Sequence, residues 1–270
     1  MIDLLPNSCY GINWLGASFP SDVLSPGMSS WSQVRLRQTT APMEEEVLEG
    51  DIVIGLVSGG RLHIRRETRQ ATYYVPRLLE QEELLHPYLA PAGYAFSTWF
   101  GREAYHAGAF AVSGGACAVV AGREGGKSTT LAWLAAAGHD VLCDDLLVIE
   151  DGEVLPGPRC VDLREAAASR LGMGRALHSV RPGGRWRLLL GATEPVPLKS
   201  WLFLEWGPRI EVQPLTPATR LSLIMQLGRP ADPVAPLALA AAPAWKLTRP
   251  KRWDSLVPAL ERLFDAGVFP

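Results

Sequence analysis

Ala116–Cys117–Ala118–Val119–Val120–Ala121–Gly122–Arg123–Glu124–Gly125–Gly126–Lys127–Ser128–Thr129–Thr130 is the stretch on which the reading of this chain turns. An apolar run feeds a glycine-rich turn, then Gly-Lys-Ser-Thr. The segment that follows carries Leu131, Leu134 and Ala135 at helical spacing and Gly138 where a helix should end. The pattern predicts a strand over 117–121 and a helix over 127–137, with a phosphate-binding loop between them. Glycines let backbone N–H groups converge on phosphate oxygens, and a helix start points its positive dipole end at the same place. Ala121, Gly122, Gly125, Gly126, Lys127, Ser128 and Thr129 are the candidate nucleotide-binding residues. Lys127 would reach the β- and γ-phosphates of a nucleoside triphosphate, and the Ser128 hydroxyl would ligate Mg2+. The spacing is the relaxed form of the motif, with Ala121 at its first glycine position.

After the predicted helix, His139 to Ile149 reads as a strand, the acidic pair Asp144–Asp145, and then more strand. Carboxylates at the end of a strand after such a loop stand where a magnesium ligand, or a base for a hydroxyl nucleophile, is needed. Asp144 and Asp145 are therefore catalytic candidates, with Asp145 also a metal candidate beside Ser128.

Composition narrows the classes. The 270 residues are 47% hydrophobic and 20% charged, enough for a sizeable core. The net charge of −2 argues against nucleic acid as the main partner, and Arg249–Pro250–Lys251–Arg252 reads as a short solvated basic turn. Cys9, Cys117, Cys143 and Cys160 form no C-x-x-C pair, and Cys117 and Cys143 fall in core strands. The start, Met1 to Pro6, has no basic segment followed by a long apolar one. The apolar stretch Leu237–Trp245 is too short to span a bilayer. These features predict a soluble cytoplasmic protein with no membrane partner. His63, His86, His139 and His178 lack metal-ligand spacing and read as structural or surface residues. There is no nucleophile elbow, and most of the nine tryptophans are expected in the core.

Residues 1–95 read as a small strand-rich unit. Its features are a hairpin of 51–57 and 61–64 around Ser58–Gly59–Gly60, a strand over 71–75, a helix over 78–89 and a boundary at Pro91–Ala92–Gly93. Residues 96–270 read as the second unit. Strands are expected at 186–190, 200–205 and 210–215, and helices at 218–227 and 255–266.

Tyr105–His106–Ala107–Gly108 through Gly115, the Gly-Lys-Ser-Thr loop, Gly138–His139 and Leu142–Cys143–Asp144–Asp145 together resemble the kinase domain of the HPr kinase/phosphorylase family and its shorter relatives. The likeness is carried by about residues 96–148; Arg181–Pro182–Gly183–Gly184–Arg185, Trp245–Pro250 and Tyr10–Gly11–Ile12 match less specifically. The resemblance implies an α/β fold: a P-loop kinase domain of HPr-kinase type with a mixed sheet, preceded by a smaller strand-rich domain. It implies ATP- and Mg2+-dependent phosphorylation of a serine hydroxyl, and a homo-oligomer. The short relatives include kinases of lasso-peptide gene clusters, which act on a serine of a precursor peptide. His106 would then lie near the γ-phosphate, and Arg181 and Arg185 could clamp phosphate or substrate carboxylate. Two departures stand out. Either Glu124 occupies a position where the family loop has glycine or the loop is one residue short, and the family's Glu-x-Arg-Gly signature has no clear equivalent, its nearest candidate being Asp162–Leu163–Arg164–Glu165. Alternatives left open are a kinase for HPr, another protein or a small-molecule hydroxyl, the reverse phosphorylase reaction, and a non-catalytic ATP-binding regulator.

Overall fold

A computed structural model of the chain describes residues 7–20, 22–44, 46–177, 184–228 and 230–268. In chain order the elements are β1 (Ser8–Cys9), β2 (Ile12–Leu15), β3 (Ser32–Thr39), β4 (Ile52–Gly55), β5 (Arg61–Arg65), β6 (Gln70–Tyr74), α1 (Gln81–Glu83), α2 (Leu89–Trp99), β7 (Glu103–Tyr105), β8 (Gly108–Val112), β9 (Gly115–Ala121) and α3 (Lys127–Ala136). They continue with β10 (Val141–Cys143), β11 (Leu147–Glu150), β12 (Glu153–Leu155), β13 (Cys160–Leu163), α4 (Glu165–Leu171), β14 (Arg175–Leu177), β15 (Arg185–Leu189), β16 (Val196–Trp206), β17 (Glu211–Pro214), α5 (Pro217–Met225), α6 (Ala235–Ala241), β18 (Ala244–Arg249) and α7 (Leu256–Asp265). The architecture is mixed α/β. Two compact units share it: one from 1–100 and 157–192, the other from 101–156 and 193–270. The expected second unit of 96–270 is thus interrupted, because 157–192 packs with the first hundred residues.

The first unit holds a six-stranded sheet in the order β1-β2-β3-β6-β5-β4. β3 shows why this segment is a strand: Val34 and Leu36, two apart, are fully buried while Gln33 and Arg35 face outward. The hairpin of β4 and β5 forms as the sequence predicts, with Ile52 opposite Ile64. Gly60 closes it at φ +91, where a Cβ would sit 2.1 Å from the Tyr74 carbonyl oxygen. The predicted helix over 78–89 is instead α1, a wider turn over Leu84–Tyr88 that leaves helical geometry at His86, and α2. Pro91–Ala92–Gly93 lies inside α2 rather than at a boundary, because Ala92 and Gly93 are buried on a helix face with Leu89 and Phe96.

A separate three-stranded sheet, β13-β15-β14, completes this unit. Arg187 on β15 is buried, and its fork grips Asp162 of β13 by two bonds of 2.7 Å, Nε to Oδ1 and Nη2 to Oδ2. Its Nη1 donates to Glu82 Oε2. Burial opposes the Arg187 charge, but these acids outweigh it and its pKa is raised.

The second unit is built on one mixed sheet, ordered β10-β8-β9-β16-β12-β11-β7, with β18 beside β16 and β17 beside β18. β9, β16 and β18 run parallel; the remaining pairings are antiparallel. Leu204 of β16 lies opposite Ala121 of β9, and Trp206 opposite Arg249 of β18. The carboxyl ends of three adjacent parallel strands therefore share one edge, the side on which open α/β sheets bind ligands. β9 is buried along its whole length, which matches its unbroken apolar sequence. Trp201, Ala118 and Leu147 belong to the core packed against this sheet. α7 contributes Leu256, Ala259, Leu260 and Leu263, buried at helical spacing. All four cysteines are buried thiols, with Cys117 and Cys143 each pushed up to about 12 by burial. No helix among the described residues is long and apolar enough to cross a membrane.

Candidate functional site

The loop between β9 and α3 takes its shape from its glycines. Gly125 N–H donates to the Gly122 carbonyl at 2.8 Å, closing a turn. A Cβ on Gly125 would meet Ala121 Cβ and Gly122 O at 2.8 Å each, so no larger residue fits. Gly126 precedes the helix at φ +94. Glu124 also adopts the left-handed conformation, at φ +60. That explains the departure noted in the sequence: the backbone here has the form glycine favours, and an exposed glutamate occupies it. α3 has no side-chain cap, so the N–H groups of its first turn face the loop without a protein partner of that kind.

Lys127, the first residue of α3, is 7% exposed. Its Nζ donates to Asp144 Oδ1 and, at 3.1 Å, to Asp145 Oδ1. Burial penalises the ammonium; the two carboxylates more than offset this and raise its pKa. Asp144 is the deeper acid, 9% exposed against 33% for Asp145. The Asp144 Oδ1 atom also accepts the Asp145 N–H at 2.9 Å.

As the sequence predicts, the strand gives way at the acidic pair and resumes after it: β10 ends at Cys143 and β11 starts at Leu147. Asp145 sits at the break with φ +68, an uncommon conformation for a residue other than glycine. Strand pairing brings the break to the loop. Cys143 faces Ala109, and Tyr105 faces Leu147. Gly108 makes the approach possible: a Cβ there would lie 2.8 Å from the Cys143 carbonyl oxygen and 2.5 Å from Leu131 of α3. His106, exposed at the turn between β7 and β8, donates from Nδ1 to the Asp145 carbonyl at 2.9 Å. That bond leaves Nε2 as the acceptor nitrogen when the ring is neutral.

Ala121, Gly122, Gly125, Gly126, Lys127, Ser128 and Thr129 thus line one strand-to-helix junction, and Asp144, Asp145 and His106 are joined to it. Arg185 stands on β15 of the first unit, where its Nη1 donates to the Gly184 carbonyl at 2.8 Å. Arg181 lies outside the described residues. His139 packs between Phe110 and Phe264, with ring centroids 6.0 and 5.2 Å away, and His63 is buried against Asp51 Oδ2 at 2.9 Å.

Two residues at this edge were not singled out as site residues in the sequence. Trp206 donates from Nε1 to the Glu124 carbonyl at 3.2 Å. Arg249 stacks on the Trp206 ring, 4.4 Å from its centroid, and is 7% exposed. The expected solvated turn at 249–252 therefore begins with a buried arginine. Only the parallel pairing of β16 with β18 brings these positions together, 43 residues apart in the chain, and no local pattern signals it.

The described residues contain no cluster of three His, Cys, Asp or Glu side chains placed for a metal. A magnesium ion held by one hydroxyl, one carboxylate and phosphate oxygens requires none. Ser128 and Asp145 are of that kind, and the first turn of α3, which has no side-chain cap, suits a polyphosphate. The donor set fits both groups.

The chain matches no protein-family model and no curated protein sequence. Among solved structures it is similar to the Hpr(Ser) kinase/phosphatase from Coxiella burnetii, at 13% identity and a TM-score of 0.29, over 61% of this chain and 99% of that one.

Proposed function

We propose that the second unit binds ATP with Mg2+ and transfers the γ-phosphoryl group to a serine hydroxyl of a peptide, as the motif resemblance to HPr-kinase-like proteins of lasso-peptide clusters implies. The observation that carries this reading is the convergence of Lys127 with both Asp144 and Asp145 at the end of the phosphate-loop strand. The two carboxylates occupy two of the lysine's three donors. A nucleotide would replace them with phosphate oxygens, releasing the acids toward metal and substrate.

The chain's own contributions follow from that exchange. The loop N–H groups and Lys127 hold the polyphosphate and offset charge on the transferring group. Mg2+, held by Ser128 and Asp145, would supply further charge neutralisation. The acceptor oxygen bonds to the γ-phosphorus while the bond to the β–γ bridging oxygen breaks. ADP leaves, and the hydroxyl proton passes to a carboxylate of the pair. His106, bonded to the Asp145 carbonyl, orients the strained turn that carries this acid.

The test is mass spectrometry of acceptors after incubation with ATP and Mg2+, using a serine-containing precursor-type peptide, an HPr-type protein and free serine. Phosphate on the peptide serine, absent with Asp145→Asn, is the expected result. Transfer to the HPr-type protein alone would move the reading to a protein kinase. Transfer to none of them, with ATP bound, would favour a regulatory nucleotide-binding role.

A further inference from the structure

Arg249 is a buried charge with no acid paired to it among the described residues. Nη1 donates to Ser255 Oγ at 3.1 Å and to the carbonyls of Arg252 at 3.3 Å and Pro250 at 3.5 Å. Nε and Nη2 make no hydrogen bond among the described residues, and no carboxylate there pairs with the guanidinium. Arg187, which is at least as buried, shows the usual remedy, with Asp162 and Glu82 both bonded to it. The two arginines respond in opposite directions: burial lowers the pKa of Arg249, whereas that of Arg187 is raised.

The unmatched guanidinium stands at the phosphate loop. Its Nη2 lies 3.2 Å from where a Cβ on Gly126 would be, and the Trp206 ring lies 3.3 Å from the same point. Gly126 is the residue from which α3 starts, with no side-chain cap on that helix. The position of the arginine is well fixed. β18 delivers it from the parallel sheet, Ser255 and two carbonyls hold Nη1, and its guanidinium carbon lies over the Trp206 ring. Trp206 is in turn hydrogen-bonded to the loop through the Glu124 carbonyl. The missing counter-charge and the helix start point to the same ligand chemistry. An anion with several oxygens matches a planar fork with free donors.

We propose that Arg249 is a phosphate ligand of the nucleotide held by the 121–129 loop, donating from Nη2 and Nε to its polyphosphate, with Trp206 as the positioning residue that sets the guanidinium plane. This rests on the phosphate-loop reading above. Lys127 enters the site already matched by two acids, so Arg249 supplies buried positive charge that is not yet committed.

Isothermal titration with ATP, inorganic tripolyphosphate and adenosine tests it on the full chain, for the wild type, Arg249→Met and Arg249→Lys. Loss of a charge-assisted contact should weaken ATP and tripolyphosphate alike by about 10- to 100-fold in Arg249→Met. Adenosine should bind all three proteins equally. Arg249→Lys, which keeps the charge but not the fork, should fall between, and it carries the test if Arg249→Met does not fold. Undiminished ATP binding by the variants would overturn this inference alone. So would a loss seen with ATP and adenosine but not with tripolyphosphate, which would put Arg249 on the base. A wild-type chain that binds neither ATP nor tripolyphosphate would overturn the phosphate-loop reading, and this one with it.

Discussion

Replacing Asp144 with asparagine separates binding from chemistry at this site. Asp144 accepts from Lys127 Nζ and from the Asp145 N–H, and an asparagine Oδ1 can accept both bonds, so the turn should survive. What changes is charge. A unit charge pair at about 3 Å attracts by roughly 5 kcal/mol at an effective dielectric of about 20, most of it offset by desolvation. The net worth of a charged hydrogen bond is about 1.5–3 kcal/mol, against about 0.5–1.5 for a neutral one. The lysine should therefore leave the neutral amide for a phosphate about 1–1.5 kcal/mol more readily than it leaves the carboxylate, and the incoming polyanion meets one negative charge fewer. Metal-free ATP should bind Asp144→Asn roughly tenfold more tightly than the wild type. With Mg2+ present, phosphoryl transfer should be abolished. Isothermal titration in EDTA, beside a transfer assay in Mg2+, measures the two effects. Metal-free affinity that is unchanged or weaker would refute the idea that the acids compete with phosphate for Lys127.

Three further outcomes are expected. Gly126→Ala forces a Cβ into the left-handed region and to 3.2 Å from Arg249 Nη2, so a stability loss of about 1–2 kcal/mol should accompany a loss of ATP affinity, read by thermal melting and titration. Arg187→Met strands Asp162, 3% exposed, and should cost the first unit about 3–5 kcal/mol in urea unfolding; a shift below about 0.5 kcal/mol would show the fork to be incidental. Glu83 has its pKa lowered by its hydrogen bonds from Arg77, despite burial that acts the other way. The unfolded chain therefore binds its proton more readily. The Glu83 contribution should be complete above the ordinary carboxylate range and fade as pH falls through it, an acid slope in stability that Glu83→Gln flattens.

How far the sequence carried the site depends on the range over which each feature is encoded. The β9–loop–α3 junction is local: the apolar run, the glycines and the helical spacing of Leu131 and Leu134 give a strand and helix close to the expected ends, 115–121 and 127–136 against 117–121 and 127–137. The hairpin of β4 and β5 was equally legible, because turn residues and flanking strands lie within one short window. The course of 78–99 was not, since Pro91 and Gly93 usually punctuate a chain, whereas here burial of Ala92 and Phe96 keeps it helical. Arg249 and Trp206 were hidden for a different reason: a basic tetrapeptide looks solvated until the strand before it is known to lie beside β16. The position of Glu124 could be flagged from sequence, but only its φ of +60 shows what is unusual there.

The alternation of the two units along the chain has a consequence for synthesis. The chain passes from one unit to the other after residues 100, 156 and 192, so no single cut yields either unit whole. β9 emerges long before β16, the strand against which it lies in register from Ser200 to Leu204. Until then the nascent loop strand has only the β8 hairpin for a neighbour, with its other edge bare. A ribosome stalled near residue 195 should present a chain that pulls down chaperones, and release of that interaction should come only once β16 and β18 have cleared the exit tunnel.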